Sequence, residues 1–233
     1  MTAQPTSSDS TTCCIVGCGP AGAMLGLLLA RSGVEVIVLE KYADFFRDFR
    51  GDTMHASTLA VLDELDLLSG FEQLPQQKTT SIGFMTDAGM VPIADFRFLP
   101  GKFQYLSMVP QWDFLAFLTT EASRYPGFHL RRETEAVRLL DDDGAVRGVQ
   151  CRTPQGLQQI RADLTVACDG RHSTVRRAAG LPGVEFGAPM DVLWYRVPKA
   201  ASDPQGSFLR LAPGRLLPMI DRGTYWQGAY LMP

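Results

Sequence analysis

A chain of 233 residues, 45% of them hydrophobic, can bury an ample core in one large domain or two smaller interleaved ones. Its formal net charge of -3 gives no electrostatic basis for holding nucleic acid or an anionic membrane. The polar start MTAQPTSSDSTT lacks the basic end and apolar centre of a secretory signal, and the apolar stretch Ala23 to Ala30 is too short to span a bilayer. A soluble, cytoplasmic protein with no membrane span is therefore expected.

Residues 1–12 read as a disordered tail. The first ordered stretch is CCIVGCGPAGAMLGLLLARSGVEVIVLEK. Cys13 to Gly17 is a short apolar run suited to a buried parallel strand, Ala21 to Ser32 carries a packed helix, Gly33 stops it, and Val34 to Leu39 is a second strand. Gly17 permits a tight turn, Gly19 lets a pyrophosphate approach the backbone, and Gly22 and Gly26 let the helix lie close on the strand. The helix N-terminus offers free N–H groups to an anion. Glu40, at the end of the second strand, is placed to accept hydrogen bonds from a ribose, and its charge would repel a 2′-phosphate. Strand, glycines, helix, strand and acid thus occur in the order of a dinucleotide grip for FAD or NAD rather than NADP. The candidate contacts are Gly17, Gly19, Pro20, Ala21, Gly22, Glu40 and Lys41.

In the next segment Ser57 caps a predicted helix from Thr58 to Leu68, with Leu59, Leu62, Leu65 and Leu68 on its buried side. The loop before it holds Arg47 and Arg50, placed either to reach a pyrophosphate or to pair with Asp44, Asp48 or Asp52. Thr79 to Met108 changes character: short β-rich runs at Ser81 to Thr86, Met90 to Phe96 and Gln104 to Met108 are divided by Gly and Pro, which reads as an excursion into another sheet. A helix follows in QWDFLAFLTTEASRYPG, ended by Pro126 and Gly127.

Glu135 to Leu140, Val146 to Arg152 and Leu157 to Arg161 form a meander in place of a crossover helix, the first pair joined by DDDG. Leu164 to Ala167 is predicted as a further buried strand, with Asp169 and Gly170 as the turn at its carboxyl end and Ser173 to Ala179 as a short helix. Ligands of open α/β sheets gather at the carboxyl ends of strands, which would place Asp169 near the Gly17 loop; an ordinary turn with Asp169 and Ser173 as helix caps fits the same spacing. Strands at Val192 to Val197, Ser207 to Leu211, Leu216 to Asp221 and Tyr225 to Met232 complete the series.

Cys13, Cys14, Cys18, Cys151 and Cys168 form no CxxC pair, and His55, His129 and His172 show no ligand spacing. The cysteines read as free core residues, and no metal is proposed.

With these motifs assembled, the chain after residue 12 resembles the FAD-dependent aromatic hydroxylases, the single-component flavoprotein monooxygenases typified by para-hydroxybenzoate hydroxylase. GCGPAGAMLG with Glu40 is similar to the family's dinucleotide motif, and CDGRHSTVR to its DGxxSxxR motif at Asp169, Gly170, Ser173 and Arg176. RDFRGDTMHASTLAVLDEL and VPQWDFLAFL are similar to further segments that place Arg50 and Gln111 at FAD contacts. The resemblance implies an α/β fold: a Rossmann-like FAD-binding domain with a β-meander crossover (13–77 and 109–180), interleaved with a β-rich substrate domain (78–108 and 181–233), incomplete at its C-terminus. It implies NADPH or NADH as co-substrate, with Asp169 and Arg176 serving both FAD and the nicotinamide. The implied reaction uses O2 and hydroxylates an aromatic or polyketide-like molecule through a C4a-hydroperoxyflavin. No catalytic side chain is needed, because the flavin carries the chemistry.

One feature departs from that pattern. The family's third motif, a Gly-Asp pair followed by small residues, His and Pro, has no counterpart after Gly180. A C-terminally truncated member is expected, with weak FAD binding and an unfinished sheet edge that leaves self-association, as a homodimer, open. The alternatives are an inactive FAD-binding fragment and an NAD-dependent dehydrogenase, which would leave the DG motif without a purpose. A halogenase is excluded by Gly228 and Tyr230, which stand where its WxWxIP tryptophans belong. Trp194, Arg196 and Trp226 are the candidate substrate-pocket residues; core or rim packing is at least an equal reading of the Trp194–Tyr195–Arg196 alternation, and Trp226 is equally ambiguous.

Overall fold

A computed structural model describes residues 8–46, 53–184, 186–187 and 190–232. The elements in chain order are β1 (Ser8–Val16), α1 (Pro20–Arg31), β2 (Val36–Leu39), β3 (Thr53–Met54), α2 (Ala56–Glu64), α3 (Leu68–Phe71) and β4 (Gln77–Thr79). They continue with β5 (Ser81–Thr86), β6 (Gly89–Asp95), β7 (Leu106–Met108), α4 (Gln111–Ala122), β8 (Phe128–Arg131), β9 (Glu135–Asp142), β10 (Ala145–Thr153) and β11 (Gly156–Ala167). The last are α5 (Thr174–Ala178), β12 (Asp191–Pro198), β13 (Phe208–Ala212), β14 (Arg215–Asp221) and β15 (Tyr225–Met232). The chain divides into two units, 1–46 with 115–185 and 47–114 with 186–233. Residues 47–77, expected with the nucleotide-binding part, cluster with the second unit, and the boundary falls inside α4.

The first unit is built on a six-stranded sheet of order β8-β2-β1-β11-β10-β9. β8, β2, β1 and β11 run parallel, and β10 and β9 are added antiparallel, as the predicted meander requires. Cys14, Val16, Ile37, Leu39, Val149, Cys151 and Ile160 fill a core under this sheet. α1 lies close against the strands at Gly26, where an added Cβ would stand 2.7 Å from Val38 Cγ2 and 3.0 Å from a Phe128 ring carbon.

Four local expectations are corrected here. β1 begins at Ser8, so residues 8–12 are strand rather than tail: Ser8 to Thr11 pair with Gln159 to Ala162, Asp9 pairs with Arg131, and Thr11 Oγ1 donates to Glu35 O. Polar composition marked that stretch as disordered, but a neighbouring strand supplies its hydrogen bonds. The predicted strands Leu157 to Arg161 and Leu164 to Ala167 are one continuous strand, β11, which carries the meander directly into the parallel sheet. Leu164 is 57% exposed instead of buried, since an apolar run signals a strand without saying which side is covered. The helix expected from Thr58 to Leu68 begins at Ala56 with His55, not Ser57, in the N-cap position, and it ends at Glu64 because Asp66 takes a left-handed backbone (φ 59).

The second unit contains a six-stranded sheet of order β12-β15-β14-β13-β5-β6 and a three-stranded sheet of order β3-β7-β4. The four C-terminal strands fall within a residue or so of their predicted ends. Phe71, on α3, meets Phe114 edge-on at 5.9 Å, and Leu59 and Leu62 of α2 are fully buried. The β12–β13 connection is closed by a buried ion pair, Lys199 Nζ to Asp221 Oδ2 at 2.5 Å with side chains 6% and 8% exposed.

Candidate functional site: a nucleotide edge in the first unit

Parallel pairing sets Val16 opposite both Leu39 and Ala167, so β1, β2 and β11 end at one edge. Gly17 N donates to Leu39 O (2.9 Å) and Cys168 N to Val16 O (2.7 Å), which joins the glycine loop to Glu40 on one side and to Asp169 on the other. The sequence motifs, more than a hundred residues apart, are neighbours because three strands share a register.

Each glycine in this loop answers a different contact. Gly17 has φ +100, and a Cβ there would stand 2.4 Å from Cys168 O. A Cβ on Gly22 would lie 1.9 Å from Gly17 O, so the turn and the helix cannot separate to admit one. Gly19 has nothing within 4 Å of its missing Cβ, which leaves the backbone open to a ligand. Gly19 is the N-cap of α1 and Pro20 occupies the first turn with no side-chain cap. Ala23 N bonds Gly19 O, so the N–H groups of Ala21 and Gly22 have no acceptor within the helix and carry its positive dipole end.

Glu40 is half-buried, and its Oε1 accepts from Tyr42 N at 3.1 Å. Lys41 is exposed, with its ammonium 4.9 Å from the Tyr42 ring centre. Arg132, which sequence reasoning missed, follows β8: its guanidinium stacks 4.5 Å over the Phe45 ring and donates to Ala43 O. Burial pushes the Cys18 thiol up to about 12, Glu40 adding to the effect and Arg132 opposing it. β8 itself was missed as a strand; FHLR directly after Pro126 and Gly127 was the available signal.

Asp169 satisfies both readings offered by its spacing. Oδ2 accepts from Thr174 N (2.7 Å) and Val175 N (3.2 Å), capping α5. Oδ1 is buried and has no hydrogen-bond partner, an orphaned acceptor beside the glycine loop. Gly170 has φ +82 and open space at its missing Cβ. Ser173, 4% exposed, is committed to local structure: its Oγ accepts from Arg176 N at 2.9 Å. Arg176 Nη2 likewise turns back to Arg171 O at 2.9 Å. An open glycine, unsatisfied helix N–H groups, a carboxylate at the next strand end and a buried acceptor without a donor together fit a dinucleotide with ribose and ribityl hydroxyls.

Other candidates lie elsewhere. Arg47 and Arg50 fall outside the described residues. His55 and His172 are exposed, and His129 faces Glu35 at 3.2 Å. Cys14 and Cys151 are fully buried, which pushes both thiols up to about 12, and all five cysteines are free.

Gln111, the first residue of α4, belongs to the second unit, as do the three substrate-pocket candidates. Trp226 is 4% exposed, its indole N–H donates to Asp203 Oδ2 at 2.9 Å, and Lys199 sits 4.7 Å over its ring, so it is a packing residue. Trp194 is 40% exposed on β12, and Arg196 stacks 4.2 Å over Tyr225. None of these three lines the cleft of about 270 Å³ in this unit, whose walls include Met108, Trp112, Asp113, Arg222 and Tyr225. Arg222 is fixed there by donating to Met108 O (3.1 Å) and Gln227 Oε1 (3.2 Å), and burial raises the Asp113 carboxyl although Arg222 opposes it.

Comparison with known proteins bears on this geometry. The profile of the FAD binding domain family matches residues 10–216. 6-Methylpretetramide 4-monooxygenase of Streptomyces rimosus is 33% identical over 85% of this chain and 48% of its own length. Rifampicin monooxygenase of Streptomyces venezuelae is 34% identical over 72% of this chain and 33% of its own. The crystal structure of p-nitrophenol 4-monooxygenase PnpA from Pseudomonas putida shares the fold, with a TM-score of 0.85 at 22% identity over 96% of this chain and 58% of that one. The chain thus spans about half the length, or less, of these curated relatives. Among the described residues no helix is long and apolar enough to cross a membrane. The chain belongs to the FAD binding domain family, and FAD is its cofactor.

Proposed function

We propose that this chain carries the flavin-holding part of a monooxygenase that uses NAD(P)H and O2 to hydroxylate an aromatic or polyketide-like small molecule. The observation that carries the reading is the second motif: Asp169 stands at the strand end beside the glycine loop with one carboxylate oxygen buried and unused. A simple NAD-dependent dehydrogenase accounts for the loop and Glu40 but not for this acceptor. The named activities of the relatives, which act on a pretetramide and on rifampicin, support the reaction class.

In this reading Ala21 and Gly22 present backbone N–H groups to the pyrophosphate, and Gly19 gives it room. Glu40 accepts from the adenosine ribose, and Asp169 Oδ1 accepts from a flavin-side hydroxyl. Arg176 supplies a further contact to the cofactor once its guanidinium leaves the Arg171 carbonyl. Bound FAD supplies hydride acceptance and oxygen activation. The protein's own work is to bind, orient and keep water away, which is why no nucleophile or metal cluster need accompany the grip. On the substrate side, Arg196 and Tyr225 form a flat cationic-aromatic pair that suits an electron-rich ring.

The test is NADPH and NADH oxidation by the complete protein with FAD bound, across phenols and polyketide aromatics, with product masses. A product heavier by one oxygen atom is expected for at least one of them. FAD bound with reduced nicotinamide consumed and no oxygenated product from any of them would overturn the assignment.

A further inference from the structure

The meander of the first unit carries a second concavity that the flavin reading does not use. It is a cleft of about 410 Å³ lined by Arg138, Arg147 and Arg161, with Gln159, Leu139 and the neighbouring carboxylates of Asp141 and Asp142. The arginines come from three adjacent strands, β9, β10 and β11, whose pairing (Arg138 with Gln150, Gln150 with Gln159, Gly148 with Arg161) fixes their spacing. Among the described residues none of the three guanidinium groups has a hydrogen-bond or ion-pair partner. Nearby Arg152 does pair, with Glu135 at 2.8 Å. The acids do not neutralise the cluster: Asp141 Oδ1 accepts from Gly144 N in the β9–β10 turn, and neither Asp141 nor Asp142 forms a salt bridge with these arginines.

The backbone is built to bring these charges together. Strict alternation would send Arg147 to the face opposite its neighbour Gly148, whose ladder partner is Arg161. A register shift between Val146 and Val149 breaks that alternation, and Arg147 and Arg161 line one cleft. The bulge requires glycine: Gly148 has φ +126, and a Cβ there would stand 2.0 Å from Ile160 O. Three exposed arginines on one cleft offer several guanidinium forks to a compact dianion at once. Leu140, two residues along β9 from Arg138 and also on the cleft wall, gives an organic group somewhere to lie.

We propose that this cleft binds a phosphate dianion, free or carried as a monoester. The site is separate from the flavin edge, because Arg161 lies six residues before the carboxyl end of β11, about 20 Å along the strand. It does not depend on the monooxygenase reading.

The experiment is calorimetric titration of the FAD-saturated chain at constant ionic strength, with orthophosphate in one arm, adenosine 2′-monophosphate in a second, and chloride as the reference. Saturable binding of either phosphate is expected, weakened about tenfold or more by R147Q and by R161Q while FAD affinity is unchanged. D142N, which removes a negative charge from the rim, should bind more tightly. Orthophosphate binding at least as tight as the nucleotide identifies free phosphate as the ligand; tighter or exclusive binding of the nucleotide identifies a phosphorylated nucleoside. No saturable binding in either arm, or binding unmoved by both arginine variants and by D142N, would overturn the proposal.

Discussion

The candidate sites of the two units are built by different means. In the first, the nucleotide edge is made by backbone: helix N–H groups, glycines that no side chain can replace, and three strand ends in register, with Glu40 and Asp169 as the principal side chains. In the second, the cleft is made by side chains such as Trp112, Arg222 and Tyr225, held by a sheet whose loops depend on the Lys199–Asp221 pair. A site made from backbone tolerates almost no change at a few positions. A site made from side chains can be altered while its scaffold stands.

The largest effect that this contrast predicts is at Gly22. Gly22→Val forces the loop away from the helix and should abolish FAD binding and lower stability by on the order of 3 kcal/mol, read by flavin fluorescence and urea denaturation. Retained affinity would show that the loop can relax and that the backbone is less decisive than its contacts indicate. Next comes Lys199→Met, which leaves Asp221 buried with its charge unmatched. A loss of about 3 kcal/mol is expected in the second unit, with FAD affinity unchanged. That pair also sets an acid response. Burial pushes the Asp221 carboxyl up, but hydrogen bonds from Lys199, Gly223 N and Gly206 N outweigh it and hold the group below its ordinary value. Its stabilisation is therefore complete above the usual carboxylate range, near pH 4, and is lost as pH falls through the lowered folded value. Urea midpoints between pH 6 and 3 should fall in the parent protein and change less in Lys199→Met.

Smaller effects are expected where one polar contact is removed. Glu40→Ala should weaken FAD binding by about 1.5 to 3 kcal/mol, more than it lowers stability through loss of the Tyr42 N contact. Equal affinity would mean that the adenosine ribose lies elsewhere. Ser173→Ala removes the α5 cap and should cost about 1 kcal/mol of stability in the first unit. A larger loss in FAD affinity than in stability would return Ser173 to the cofactor contacts.

The same contrast explains what could be read from the sequence. The glycine loop, Glu40 and the DG turn were legible because their backbone demands are local: a positive φ or a missing Cβ can be filled by glycine and little else. The pairing that unites them needed only the rule that ligands collect at strand ends. β8 escaped notice because a four-residue strand has little periodicity, and with it went Arg132. Ser8 to Thr12 looked like a tail because its stability comes from β11, about 150 residues away in sequence. Trp194 and Arg196 alternate on one strand, and Trp226 lies on another, but alternation says nothing about which face is a pocket. The structure gives Trp226 to Asp203 and Lys199, and sets Arg196 on Tyr225. Arg222 and Trp112 had no local signature, since their cleft exists only after distant segments meet.

Asp169 divides one carboxylate between two tasks, and this links events that are otherwise independent. Oδ2 holds the first amides of α5, while Oδ1 bears the cost of a buried acceptor with no donor. A ligand hydroxyl that reaches Oδ1 repays that cost and fixes the carboxylate against the helix. On the proposed reading, cofactor uptake should therefore tighten a helix on the far side of the turn, and hydrogen exchange at the amides of Thr174 and Val175 should slow as the site fills.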